Sequence, residues 1–235
     1  MLRDIDGGTD MRHLYLWFVV AFAVTVFGFW PTTVGSFGPP DAIRITHGVF
    51  AVGWMLLLIA QSWLIGRRYR TLHRWLGWSS LIMVPGLVIT ALIVLRDALR
   101  LDTPFGVPLL LTVVWVDLWS LTLLVLLYVA ALYYRRRVFL HSRLMASTVF
   151  VALLPALGRA YGMNIPALGG LGGALHLSFW TVEIVLIGLI ARDGRHGRWR
   201  TPWWITLIAL LAIEWTMFSA PSLPLYTKLV WSAAP

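Results

Sequence analysis

No cysteine occurs anywhere in the chain. That removes disulfides, iron–sulfur clusters, thiolate zinc sites and cysteine nucleophiles from its chemistry. Charge is nearly as scarce. Of the 235 residues 12% are charged, against about 25% in a soluble domain, which is too few to coat a water-soluble globule. Lysine is close to absent, because the 19 basic residues are 18 arginines and Lys228. That one lysine falls beyond the last apolar run, so a retinal Schiff base inside a seventh helix is excluded. What fills the chain instead is apolar: 59% of residues are hydrophobic and the mean hydropathy is +0.79. Lipid is the solvent that such a composition requires. The 14 tryptophans suit the membrane interfaces, where a ring can be apolar on one side and wet on the other.

A formal net charge of +9 suits nucleic acid in principle. Here, however, the basic residues sit in short loops between apolar runs, where topogenic charge and contact with anionic lipid headgroups account for them. Nucleic acid is not expected as a partner. Crossing a hydrocarbon core of about 30 Å takes about 20 apolar residues. Such runs lie at about 14–33, 43–65, 75–95, 108–133, 144–160, 172–191 and 202–220, the fifth being the shortest. The expectation is an all-α integral membrane bundle of about seven transmembrane helices, forming one domain over 1–235.

Charge orients it. With the N-terminus inside, the inner segments 1–13, 66–74, 134–143 and 192–201 hold 14 of the 19 basic residues, as the positive-inside rule demands. An odd number of crossings then leaves the C-terminus outside. The first span reads as a retained helix. Asp4, Asp6 and Asp10 precede it, and no small-residue cleavage site follows it. A duplicated two-helix unit is one reading of two similar stretches. The run 67–74 opens the third span and the run 135–143 opens the fifth. Each is a basic run with Leu-His ahead of a helix carrying Pro85 or Pro155. The other reading is that any basic loop before a helix looks alike.

Ionisable groups inside spans are costly and so are candidates for function. They are His47, Asp117, Arg159, His176, Glu183 and Glu214, with His73 and His141 at the inner boundary. Counting about 1.5 Å per residue puts His47 and His176 at one depth near the outer face, and His73 and His141 together at the inner face. His47, Trp54 and Gln61 recur every seven residues and share one helix face, which should point into protein because an amide in lipid is unsatisfied. The bland reading of that face is a polar helix–helix contact.

Two chemical readings follow. Low-spin b-type haem takes two neutral imidazoles, so His47 with His176 and His73 with His141 would hold an outer and an inner haem. Arg74 and Arg143 would neutralise propionates or lipid phosphates. The alternative is a metal site of His47, Asp117 and His176, two imidazoles and a carboxylate that suit non-haem iron or zinc. Glu183 reads as a proton-carrying carboxyl or a quinone contact. Arg159 is expected to pair with Asp117 or Glu214.

The pattern His47-Gly48, Trp54, Gln61 and His73-Arg74-x-x-Gly77, followed by His141-x-Arg143-Leu144-Met145 and Pro155-Ala156-Leu157-Gly158-Arg159, resembles a family of uncharacterised bacterial polytopic inner-membrane proteins. The resemblance covers roughly residues 43–160 and implies a multi-pass protein of the bacterial inner membrane, without an activity. The four helix-borne histidines are also distantly similar to b-type transmembrane cytochromes of the ascorbate- and ferric-reductase kind, whose ligands come from a contiguous four-helix core. In this chain the fourth span brings Asp117 and no histidine.

The leading expectation is a membrane redox protein, an oxidoreductase or electron-transfer partner that binds haem b and exchanges electrons with a quinone or another carrier. The rival is a non-catalytic accessory subunit of a larger membrane complex, whose polar residues bind lipid, pigment or neighbouring helices. A transporter is the third possibility, with Pro85, Pro155 and the glycines of 169–173 breaking helices around a midplane site.

Overall fold

A computed structural model of the protein describes residues 14–34, 41–99 and 106–233, and no strand occurs among them. Continuous apolar sequence leaves the backbone no partner but itself, so each run closes into helix. The α-helices are α1 (Leu14–Val34), α2 (Ala42–Gly66), α3 (Arg70–Gly77), α4 (Ser80–Ala98), α5 (Val107–Tyr133), α6 (Val138–Asn164), α7 (Leu171–Arg195), α8 (Trp203–Met217) and α9 (Pro224–Ala233). Single 3₁₀ turns, Pro166–Leu168 and Ala220–Ser222, precede α7 and α9.

Five stretches have the length and apolarity of membrane spans: Ala42–Gly66, Arg70–Ala98, Val107–Tyr133, Val138–Asn164 and Leu171–Arg195. The first and seventh expected spans are shorter apolar stretches, Tyr15–Pro31 and Trp203–Met217. Three further differences from the sequence reading have plain causes. The fifth span is not short, because its helix begins at Val138 and carries His141 and Arg143 in its first turns. The third is broken at Trp78 and Ser79 into the short α3 and the longer α4. The seventh ends at Met217, where Pro221 and Pro224 reset the chain into a 3₁₀ turn and the added helix α9.

The chain divides into two compact units, Met1–Val94 and Leu95–Pro235. In the first, α1 packs on α2 and α2 on α3. Asp41 caps α2 by accepting from the Arg44 backbone N–H at 2.9 Å, and its carboxylate also pairs with the Arg44 guanidinium. Side chains of α2 and α4 lie over each other's glycines, Met83 over Gly53 and the Phe50 ring over Gly86. Trp54 is buried on α2, as its place on the polar face requires.

The second unit is a four-helix bundle in which α5 packs on α6, α6 on α7, α7 on α8 and α8 back on α5. Phe179, Leu186, Leu210 and Met217 are fully buried. Small residues at Ala131, Ala156, Ala174 and Ser147 let the helices approach, and Thr206 Oγ1 donates to Ser147 Oγ at 2.8 Å between α8 and α6. α9 folds back on the start of α5, where Val230 joins Leu110, Leu111 and Val114 and Tyr226 Oη donates to the Leu111 carbonyl at 2.7 Å.

Candidate functional site

In the first unit, His47 lies near the start of α2 and its Nδ1 is 3.1 Å from Thr90 Oγ1 on α4. The single hydroxyl proton of Thr90 goes to a backbone carbonyl, Gly86 at 2.7 Å or Leu87 at 3.1 Å. Thr90 therefore accepts from the imidazole, and the proton sits on Nδ1. Further along the same face the amide of Gln61 is buried with neither its oxygen nor its nitrogen hydrogen-bonded among the described residues. Its nitrogen lies over Gly77 of α3, where a Cβ would come within 3.6 Å. That contact joins two pieces of the sequence pattern, Gln61 and His73-Arg74-x-x-Gly77. His73 is half-buried on α3, and Arg74 is exposed.

At one end of the four-helix bundle, His141 Nδ1 is 2.9 Å from the Ala131 carbonyl. A carbonyl can only accept, so this ring too carries its proton on Nδ1. It closes an otherwise open carbonyl at the end of α5. Arg143, read from the sequence as a partner for propionate or phosphate, is met by an acid of its own chain. Its Nε and Nη2 donate to the two carboxylate oxygens of Asp193, each at 2.6 Å. Thr201 Oγ1 adds a third donor at 2.8 Å, and the guanidinium lies 3.7 Å from the centre of the Phe139 ring. Asp193 was not singled out from the sequence. The available signal was that it stands as the lone carboxylate within the basic run 192–200.

Towards the other end of the bundle, His176 Nδ1 donates to Glu214 Oε1 at 2.6 Å, between α7 and α8. The ring lies against Trp180 and Phe218, with centroids 5.7 and 5.1 Å away. The His176 side chain is 39% exposed and that of Glu214 11%. Glu183, two turns along α7, is buried beside Glu214, and its Oε1 has no hydrogen-bond partner among the described residues. Of the two acids open to Arg159, Asp117 is the one whose charge acts on it; Glu214 goes to His176 instead. Arg159 also donates from Nη1 to the Pro155 carbonyl at 3.0 Å. Outside the spans, burial and then the negative charge of Asp117 push the Tyr226 phenol up to about 12, which keeps it a donor to Leu111. Trp115 packs edge-on against Tyr226 and donates to Thr216 Oγ1 at 3.0 Å.

Within either unit, no group of three histidine, aspartate or glutamate side chains among the described residues is arranged to hold a metal ion. Asp117 and His176, both named for the metal site, have separate partners in the bundle. No family model, curated protein or solved structure matches the chain.

Proposed function

We propose that this is a membrane redox protein that holds b-type haem on helix-borne histidines and exchanges electrons with a lipid-soluble carrier such as a quinone. One observation carries the reading. His47, His141 and His176 each have Nδ1 engaged by an acceptor of another helix, a hydroxyl, a carbonyl and a carboxylate. Such a hydrogen bond fixes the tautomer, aims the ring and leaves the lone pair on Nε2, which is how a protein prepares an imidazole to bind iron. Imidazoles prepared in this way suit the group, and the buried, unsatisfied amide of Gln61 next to the α3 segment bearing His73 would add a polar contact for it. Bound haem would supply a one-electron couple. The chain would supply the imidazoles that hold it, the Glu214 carboxylate that would make His176 a stronger donor, and the Arg74 guanidinium for a propionate. His73 completes the proposed ligand set. The proposal includes seven crossings with the basic loops on the cytoplasmic side of a bacterial inner membrane, as the arginine distribution favours.

A second reading draws on the same contacts. Each of these histidines ties two helices together, and Arg143 is fully engaged by Asp193, as expected of an accessory subunit whose polar residues serve packing. Purification in mild detergent and a visible spectrum, oxidised and dithionite-reduced, separates the two. The redox reading expects a Soret band and a sharp reduced α-band, with His47→Ala and His73→Ala each removing about half of it. A colourless preparation from cells supplied with haem precursor would remove the redox reading and leave the accessory one.

A further inference from the structure

Among the described residues, the arginines at the turn between α2 and α3 have no acid of their own. Between Asp41 and Asp97 the sequence contains no carboxylate, and Asp41 is taken by Arg44. None of Arg67, Arg68, Arg70 and Arg74 has an ion-pair partner among the described residues. The contrast with the loop before α6 is direct, because there Arg143 is neutralised by Asp193. The α2–α3 turn also forms a groove of about 460 Å³, lined by Arg68, Tyr69, Arg70, Thr71, Leu72 and Trp75. Its lining mixes two chemistries. Two guanidiniums and the hydroxyls of Tyr69 and Thr71 share it with the exposed apolar side chains of Leu72 and Trp75. Arg68 holds the turn in a left-handed conformation, φ 64°, the sole positive φ of a non-glycine among the described residues. α3 begins with no capping side chain and no acid in its first turn, so its amino end adds partial positive charge on the same side.

We infer that this groove binds an anionic phospholipid, its phosphodiester on Arg68 and Arg70 and its glycerol and upper acyl carbons on Leu72 and Trp75. Guanidinium matches phosphate in shape and charge, and the turn adjoins a span, where headgroups lie. The exposed apolar side chains of Leu72 and Trp75 select an amphiphile over a free anion. The inference does not depend on haem, and colourless protein serves equally well for its test.

The test uses the full chain, purified in a non-ionic detergent and stripped of co-purified lipid, with native mass spectrometry as the readout. Phosphatidylglycerol and phosphatidylcholine of matched chains are added in turn. The wild-type protein should retain phosphatidylglycerol preferentially. Arg68→Gln/Arg70→Gln should lose retention by about thirtyfold, as two surface guanidiniums imply, while Arg135→Gln/Arg136→Gln should leave it unchanged. Leu72→Ala/Trp75→Ala should weaken it without altering net charge, which guards against a fold defect in the arginine variant. Equal loss in both arginine double variants would make the effect a diffuse basic face and overturn the site. Equal retention of the zwitterionic lipid, or displacement by millimolar inorganic phosphate, would overturn the lipid assignment.

Discussion

Arg143 and Asp193 bring opposite charges into a part of the bundle where each side chain is largely shielded, 19% and 10% exposed. Such a pair is costly to break and cheap to replace, because removing one partner strands the other. Asp193→Asn should therefore cost about 3 kcal/mol, read as a lower unfolding midpoint in mixed micelles. Arg143→Met/Asp193→Leu should recover most of that loss. If the double variant is as weak as the single one, the pair has a role beyond neutralising itself. A milder case is Thr90, whose hydroxyl accepts from His47 and donates to the backbone. Thr90→Val should cost about 1 kcal/mol for the lost hydrogen bond. On the redox reading it should also lower pigment per protein, because the His47 ring is no longer aimed.

Helices pack in this protein through contacts that spacing alone does not reveal. A Cβ at Gly86 would come within 2.3 Å of the Phe50 ring, so Gly86→Ala should overpack α4 against α2 by about 1–3 kcal/mol. Phe50→Ala in the same chain should relieve the clash, and a thermal-shift series on the four proteins measures the coupling. α9 is pinned to α5 by Tyr226, whose phenol rises from its ordinary 10 to about 12 on burial. The folded chain thus holds this proton more tightly than the unfolded one. The contribution of α9 docking is intact below pH 10 and fades as the pH rises towards 12. In a 295 nm titration, Tyr226→Phe should remove the last tyrosine to ionise. The existence of the helices was legible because an apolar run without water has one backbone solution. The break at Trp78 and Ser79 was not, because only Gly77 and the serines Ser79 and Ser80 mark it and no proline interrupts the run there. α9 was missed because Pro224–Ala233 is short and only partly apolar. Of the candidate site, His176 and Glu214 were both on the page as costly residues. Their union was hidden, since 38 positions separate them and pairing across helices leaves no periodic trace.

At the scale of the molecule, the question left by five long apolar stretches and two shorter ones is how many of them cross. The cysteine-free chain is already a background for single-cysteine labelling. In spheroplasts, Arg136→Cys should react with an impermeant maleimide only after permeabilisation, as a cytoplasmic basic loop requires. Ser232→Cys in α9 should react from outside if all three helices between the two positions, α6, α7 and α8, cross. Protection of Ser232→Cys with an unchanged Arg136→Cys result would mean an even number between the two positions, with Trp203–Met217 failing to cross.

The left-handed turn at Arg68 carries a different implication. Glycine is the inexpensive residue for that backbone conformation, and Arg68→Gly should make the protein more stable by about 1 kcal/mol. The same change removes a guanidinium from the groove. A variant that melts later yet holds its lipid less well is the mark of a stability–function trade-off, and it would identify Arg68 as a residue retained by selection for what it touches outside the chain.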